Sequence, residues 1–163
     1  MEHGVGPEWA FALQQSWLGA LIRDSLWIYP VANLVHLLGL VMLVGPIAAL
    51  DLRILGVGRH NITVPAASHF LTPFAVCGIL LLLPSGAMLF AADAASLAGS
   101  GLMQIKIALV VLALANAVLF RLLWSRQLGS WDAMPPVLGR LQAAASIGLW
   151  LSVGYCGRMI AYL

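Results

Sequence analysis

The stretch SLWIYPVANLVHLLGLVMLVGPIAALDLRIL, residues 25–55, carries no Asp, Glu, Lys or Arg until Asp51. About 20 apolar residues suffice for a helix to cross the hydrocarbon core of a bilayer. An open strand in that medium would leave its backbone N–H and C=O groups unpaired, so the stretch must be a helix. Three further apolar runs follow, which sets candidate spans at about 25–50, 65–92, 102–124 and 137–163. The dyad alternation of a membrane β-barrel is absent. These runs predict an all-α integral membrane protein: a left-handed four-helix bundle at 25–163, one domain, preceded by a segment at 1–24.

Composition agrees. The chain has 163 residues, of which 62% are apolar and 9% charged, with a net charge of +2. Its mean hydropathy is +0.98. A soluble domain carries about a quarter charged residues, because its surface must face water. The balance excludes an ordinary soluble enzyme, a nucleic-acid reader and a disordered chain, and makes membrane lipids the main surroundings. Cys77 and Cys156 sit in apolar stretches, where cysteine behaves as a small hydrophobe. No basic leader or cleavage site precedes the first span, so that span is expected to act as its own insertion signal.

The arginines predict an orientation. Arg53 and Arg59 follow the first span, and Arg121, Arg126 and Arg140 flank the connection between the third and fourth; the connection at 93–101 has no Lys or Arg. Positive loops stay in the cytoplasm, which puts both termini in the periplasm. Within the first 24 residues, Trp9, Leu13, Trp17 and Leu21 recur every fourth position beside Gln14, Gln15 and Arg23. That pattern predicts an amphipathic helix lying flat at the outer interface, with Trp9 and Trp17 at headgroup level or facing a periplasmic or membrane partner. Gly45-Pro46 is a candidate kink, after which the chain around Asp51 and Arg53 bends onto the cytoplasmic surface or continues straight.

His36 stands out. It lies about 16 Å along the first helix, a depth at which ionisable groups are rare and usually functional. Tyr29 and Asn33 share its face, and Ala32 and Gly39 leave room for a bulky neighbour. Three readings follow: a histidine satisfied by Asn116 or a backbone carbonyl, a metal or haem ligand, or a group serving a proton or quinone. A haem b between helices calls for a second ligand at matching depth, and His69 is the other histidine within a span. A straight first helix separates the pair by about 20 Å, and a break at Gly45-Pro46 brings the gap to about 8 Å.

Ala144, Gly148, Ser152 and Cys156 recur every fourth residue on the fourth helix, a face for packing within the bundle, for a partner subunit or for a flat cofactor. Lys106 and Arg158, near the outer side, are expected to snorkel, to pair with a carboxylate, or to hold lipid phosphate or haem propionates. His3 behind two backbone amides matches a square-planar copper site. No nucleophile–base arrangement, phosphate loop or paired-cysteine motif is visible, and Asp51 and Asp93 both fall near membrane edges, which points away from an enzyme and from a proton-driven transporter.

The stretches SLWIYPVANLVHLLGLVMLVGPIAALDLRILG and GRMIAYL, with His36, Gly39, Gly45, Asp51-Leu52-Arg53, Gly157-Arg158 and Ala161-Tyr162, resemble a family of bacterial inner-membrane proteins with four helices, a domain of unknown function. In size, and in having a histidine in an early helix, the chain is broadly similar to small cytochrome-b-like and copper-resistance membrane bundles. It departs from b-type cytochromes in lacking paired histidines on two central helices. The functions expected are a haem b-binding electron-transfer or accessory subunit of a larger membrane complex, a cofactor-free structural or assembly subunit, or a copper-handling protein. The partners expected are other membrane or periplasmic subunits, or further copies of the chain.

Overall fold

A computed structural model of the protein describes residues 6–132, 135–160 and 162. Among them every regular element is helical. Four helices are long and apolar enough to cross a membrane: α3 (Ile28–Ile54), α4 (Val64–Ala92), α6 (Gly101–Trp124) and α7 (Val137–Ile160). Three short helices, α1 (Glu8–Gln15), α2 (Trp17–Asp24) and α5 (Ala94–Gly99), lie at the end that carries both termini. His3 and Met134 fall outside the described residues, as do the last residues of the span expected to reach 163.

Helix starts follow local chemistry. Thr63 caps α4 by accepting from the Ala66 amide at 3.3 Å, and Pro65 occupies the first turn, where its missing N–H is not needed. Ser100 caps α6 in the same way, accepting from the Met103 amide at 3.4 Å. The N-terminal segment is two short helices rather than one. Ser16 breaks it, leaving the helical conformation and accepting from the Gly19 amide to start α2. Both helices are tied to the bundle. Gln14 accepts from the Ala95 amide at 2.8 Å, and Ile22 is buried with Ala91 and Ala92.

α3 runs unbroken through Gly45-Pro46 to Ile54, as the straight-helix reading required. One missing amide does not end a helix whose flanking residues Leu43 and Ile47 are packed in the core. α4 likewise continues through Pro73 and Pro84. These two helices make the longest contact in the molecule, and they cross closely at Gly39 and Gly78. A Cβ on Gly78 would stand 2.6 Å from the Leu43 amide nitrogen and 2.8 Å from the Gly39 carbonyl oxygen. The room that Gly39 was expected to leave for a bulky group is taken by α4, through the Gly78 carbonyl and the side chains of Leu81 and Leu82. α7 packs on both α3 and α6, giving the order α4–α3–α7–α6, and α4 and α6 share no extended contact.

The end opposite the termini is locked. Arg53 is 4% exposed, and its Nη2 donates to Asp132 Oδ1 at 2.9 Å. The same oxygen accepts from the Val64 amide at 2.6 Å, and Arg53 Nε donates to the Ile62 carbonyl. Ile54, Val64, Leu128, Trp131 and Ala143 pack beneath this knot, with Phe120 edge-on to Trp131 at 5.7 Å. Asp132→Ala should therefore strip the buried guanidinium of its counter-charge and α4 of an N-terminal acceptor. The expected loss is about 3 kcal/mol in reversible unfolding from mixed micelles. A loss below about 0.5 kcal/mol, the scale of an exposed ion pair, would show that the knot does not hold this end.

Candidate functional site

The two histidines are not brought together. His36 Nδ1 lies 3.1 Å from Ser85 Oγ, and the Ser85 hydroxyl donates to the Leu81 carbonyl, so the ring nitrogen that faces Ser85 is the donor. The imidazole packs on Gly86, where a Cβ would meet its Cε1 at 3.1 Å. His36 thus meets α4 at residue 85, and His69 lies on α4 about 24 Å away by helix rise. His69 is exposed near the start of α4. A bis-histidine haem between His36 and His69 has no seat in this arrangement, because α3 continues through Gly45-Pro46 without the break that would bring the two to one depth.

Asn116, the expected partner of His36, is engaged elsewhere. It bonds the Gln142 carbonyl at 3.4 Å, Gln142 Nε2 returns a bond to the Asn116 carbonyl at 3.2 Å, and Gln142 Oε1 accepts from Trp124 Nε1 at 2.9 Å. This amide pair ties α6 to α7. Tyr29 turns outward from His36 and donates to Asp93 Oδ2 at 3.3 Å, and Asn33 is exposed. A groove of about 330 Å³ beside Ala32, Pro84, Ser85 and Met88 is almost wholly apolar, and His36 is not among its walls.

Lys106 leans across α7, with Nζ 3.5 Å from where a Cβ on Gly157 would stand. Among the described residues no carboxylate pairs with it. Arg158 donates to the Tyr162 hydroxyl and lies over its ring, 4.5 Å from the centroid. Neither joins a common site with the histidines.

The small-residue stripe sits one residue out of step with the core. Gly139, Ala143, Ser146, Trp150 and Val153 form the inward face of α7. Ala144, Gly148 and Ser152 are exposed, Cys156 alone is buried, and a Cβ on Gly148 would touch nothing within 4 Å. Packing inside the bundle is therefore not what Ala144, Gly148 and Ser152 do. On the N-terminal helices, Trp9 is 58% and Trp17 78% exposed, and Trp9 stacks on Phe90 at 6.2 Å.

The site that sequence reasoning missed surrounds Asp51. This residue was expected at a membrane edge, yet it is 6% exposed, and its Oδ2 has no hydrogen-bond partner among the described residues. It lines a cavity of about 310 Å³ between α4 and α6, where these two helices diverge. Ser146 faces it from α7, and Thr72, Asn116, Arg121 and Gln142 complete the polar wall. The available signal was the position of an acid within helical continuation of an apolar span. Its neighbour Arg53 masked it by suggesting an exposed amphipathic turn.

No protein-family model matches the chain, and no curated protein and no solved structure matches it either. The chemistry of the bundle therefore rests on its own residues. Among the described residues no three His, Cys, Asp or Glu side chains group as metal ligands. His3, the proposed copper ligand, lies outside the described residues.

The His36–Ser85 contact is testable by a double-mutant cycle with His36→Phe and Ser85→Ala. Unfolding in micelles should give a coupling of about 1 kcal/mol, the scale of hydrogen bonds between membrane helices. Additive effects would mean that the two side chains do not interact.

Proposed function

We propose that this chain is an accessory subunit of a larger assembly in the bacterial inner membrane, and that α7 presents the face on which a transmembrane helix of another subunit docks. The observation that carries this reading is the exposure of Ala144, Gly148 and Ser152 on one strip of α7. In lipid, helix association is driven by close packing rather than by hydrophobic burial, and small residues permit the closest approach. Large aliphatics such as Leu34, Leu38 and Val41 on α3, Leu80 and Leu83 on α4, and Val111, Leu112 and Leu122 on α6 suit acyl chains, and on α7 exposed Leu141, Leu151 and Tyr155 flank the small strip. α7 also has the lowest hydropathy of the four spans, 1.2 against 2.0 to 2.3. A strip that is small and only weakly apolar makes a poor lipid surface and a good helix seat.

This reading is preferred to a bis-histidine haem b carrier because His69 stands about 24 Å along α4 from the residue that meets His36. It places the arginine-bearing connections in the cytoplasm and both termini in the periplasm, following the charge asymmetry of the loops. The exposed Trp9 and Trp17 then lie at the periplasmic headgroup level.

Two measurements test it. Gly148→Leu with Ser152→Leu fills the strip without touching the core. In native gels of gently extracted membranes, the wild type should run well above its 17.3 kDa monomer mass, and the double variant should run as the monomer with an unchanged unfolding midpoint. A wild type that runs as a monomer would overturn the docking role. An alkaline phosphatase fusion after Leu163 should be active, and an inactive fusion beside an active cytoplasmic reporter would reverse the orientation.

A further inference from the structure

The cavity at Asp51 lies away from the α7 strip and has its own chemistry. An ionised carboxylate can only accept hydrogen bonds, and one without donors in a low-dielectric setting is costly. Asp51 Oδ2 is in that position. Neither Arg53 nor Arg121 bonds to this oxygen. Arg53 is held by Asp132 and the Ile62 carbonyl, and Arg121 donates to Thr72 Oγ1, whose own proton goes to the Ser68 carbonyl at 2.6 Å. Asn116 and Gln142 each give one N–H to joining α6 to α7, and neither bonds Asp51 Oδ2. Ser146 faces the carboxyl group from α7, yet Oδ2 keeps no partner among the described residues and is open to a donor from outside the chain.

The walls say what kind of molecule brings it. Apart from the polar residues already named, the cavity is lined by aliphatic and aromatic side chains such as Ile47, Leu71, Val76, Leu114 and Phe120. It lies along the seam where α4 and α6 separate, so its mouth faces acyl chains. Exposed Arg121 stands on the α6 side of that mouth, in the last turn of the helix, at the level where lipid headgroups begin. The pattern is a carboxyl group with an unpartnered oxygen inside and a guanidinium at the rim. A metal ion would want several hard oxygens or nitrogens, and no cluster of three ligating side chains is present among the described residues. A molecule with an ammonium, an anionic group close by and an apolar body matches all three features. The volume, about 310 Å³, sits at the lower end of small-molecule sites and suits a headgroup rather than a whole lipid.

We infer that the α4/α6 cavity is a binding site for the headgroup of an aminophospholipid, with its primary ammonium donating to Asp51 Oδ2, its phosphate at Arg121 and its acyl chains leaving through the seam. The phosphoethanolamine headgroup has N–H donors for Asp51. A choline headgroup carries the same charges but no N–H, so it separates hydrogen bonding to Asp51 from simple attraction. A glycerol headgroup keeps the phosphate and loses the cation.

The experiment is native mass spectrometry of the full chain released from nanodiscs of equimolar phosphatidylethanolamine, phosphatidylcholine and phosphatidylglycerol. One phosphatidylethanolamine should be retained in about tenfold preference over phosphatidylcholine, the factor expected for one hydrogen bond to a charged group. Asp51→Asn should abolish that preference, and Arg121→Gln should weaken retention of all three lipids. Ala75→Phe, which fills the cavity from α4 and leaves Asp51 in place, should remove the bound lipid even if Asp51→Asn fails to fold. Equal retention of phosphatidylethanolamine and phosphatidylcholine, or a preference that survives Asp51→Asn or Ala75→Phe, would overturn the site. Full displacement by millimolar water-soluble phosphoethanolamine would overturn the bilayer as its source.

Discussion

The close crossing of α3 and α4 at Gly39 and Gly78 sets the register from which the other placements follow. Backbone approaches backbone there, because neither position carries a Cβ. In lipid such an approach holds two helices through dispersion contacts that larger side chains would prevent. With residue 43 of α3 against residue 78 of α4, antiparallel helices place His36 opposite Ser85 and Gly86, and Asp51 near Leu71 and Thr72. One polar contact is thereby closed and one is left open. His36 has a hydroxyl at hydrogen-bond distance, whereas Asp51 Oδ2 has no partner among the described residues.

The two ends of the bundle are closed by different physics. At the arginine-bearing end a buried guanidinium gathers a carboxylate, a carbonyl and the first turn of α4 into one network, with Trp131 and its neighbours beneath it. At the other end, among the described residues, the polar ties are separate bonds such as Ala95 N–H to Gln14 and Tyr29 to Asp93. α1, α2 and α5 cover the helix ends by small-residue packing, in which Gly19 lies against the Ala91 carbonyl and Ile22 against Ala91 and Ala92. Charge-assisted bonds fix geometry at one end and apolar contact does so at the other, which matches the loop charges and the tryptophans near the termini.

The order α4–α3–α7–α6 leaves two surfaces with unfinished chemistry: the seam between α4 and α6 and the outer strip of α7. They differ in kind. The seam encloses charge and hydrogen-bonding groups around a cavity, so it suits a small polar headgroup with an apolar body. The strip is shallow and small, so it suits a helix. Assigning the first to a lipid and the second to a protein subunit lets one bundle serve both without conflict, since the two surfaces share no named residue.

Hydropathy and loop charge were enough to read the four spans and the amphipathic character of the first 24 residues, because lipid forces each apolar run of that length into a helix whatever its neighbours do. The partners of individual side chains were not visible in composition. His36 bonds Ser85, 49 positions away, rather than Asn116, and the choice depends on which helices are adjacent and in what register. The stripe Ala144–Gly148–Ser152 follows helical periodicity, yet periodicity cannot say which side of α7 faces inward, and the rotation of the helix turned it out. Asp51 looked like an edge residue until α3 continued past Pro46 and α7 closed over it. Span and period are properties of one segment in its solvent. Burial, pairing and cavities arise only when several segments meet, and that meeting is decided by packing among residues far apart in the chain.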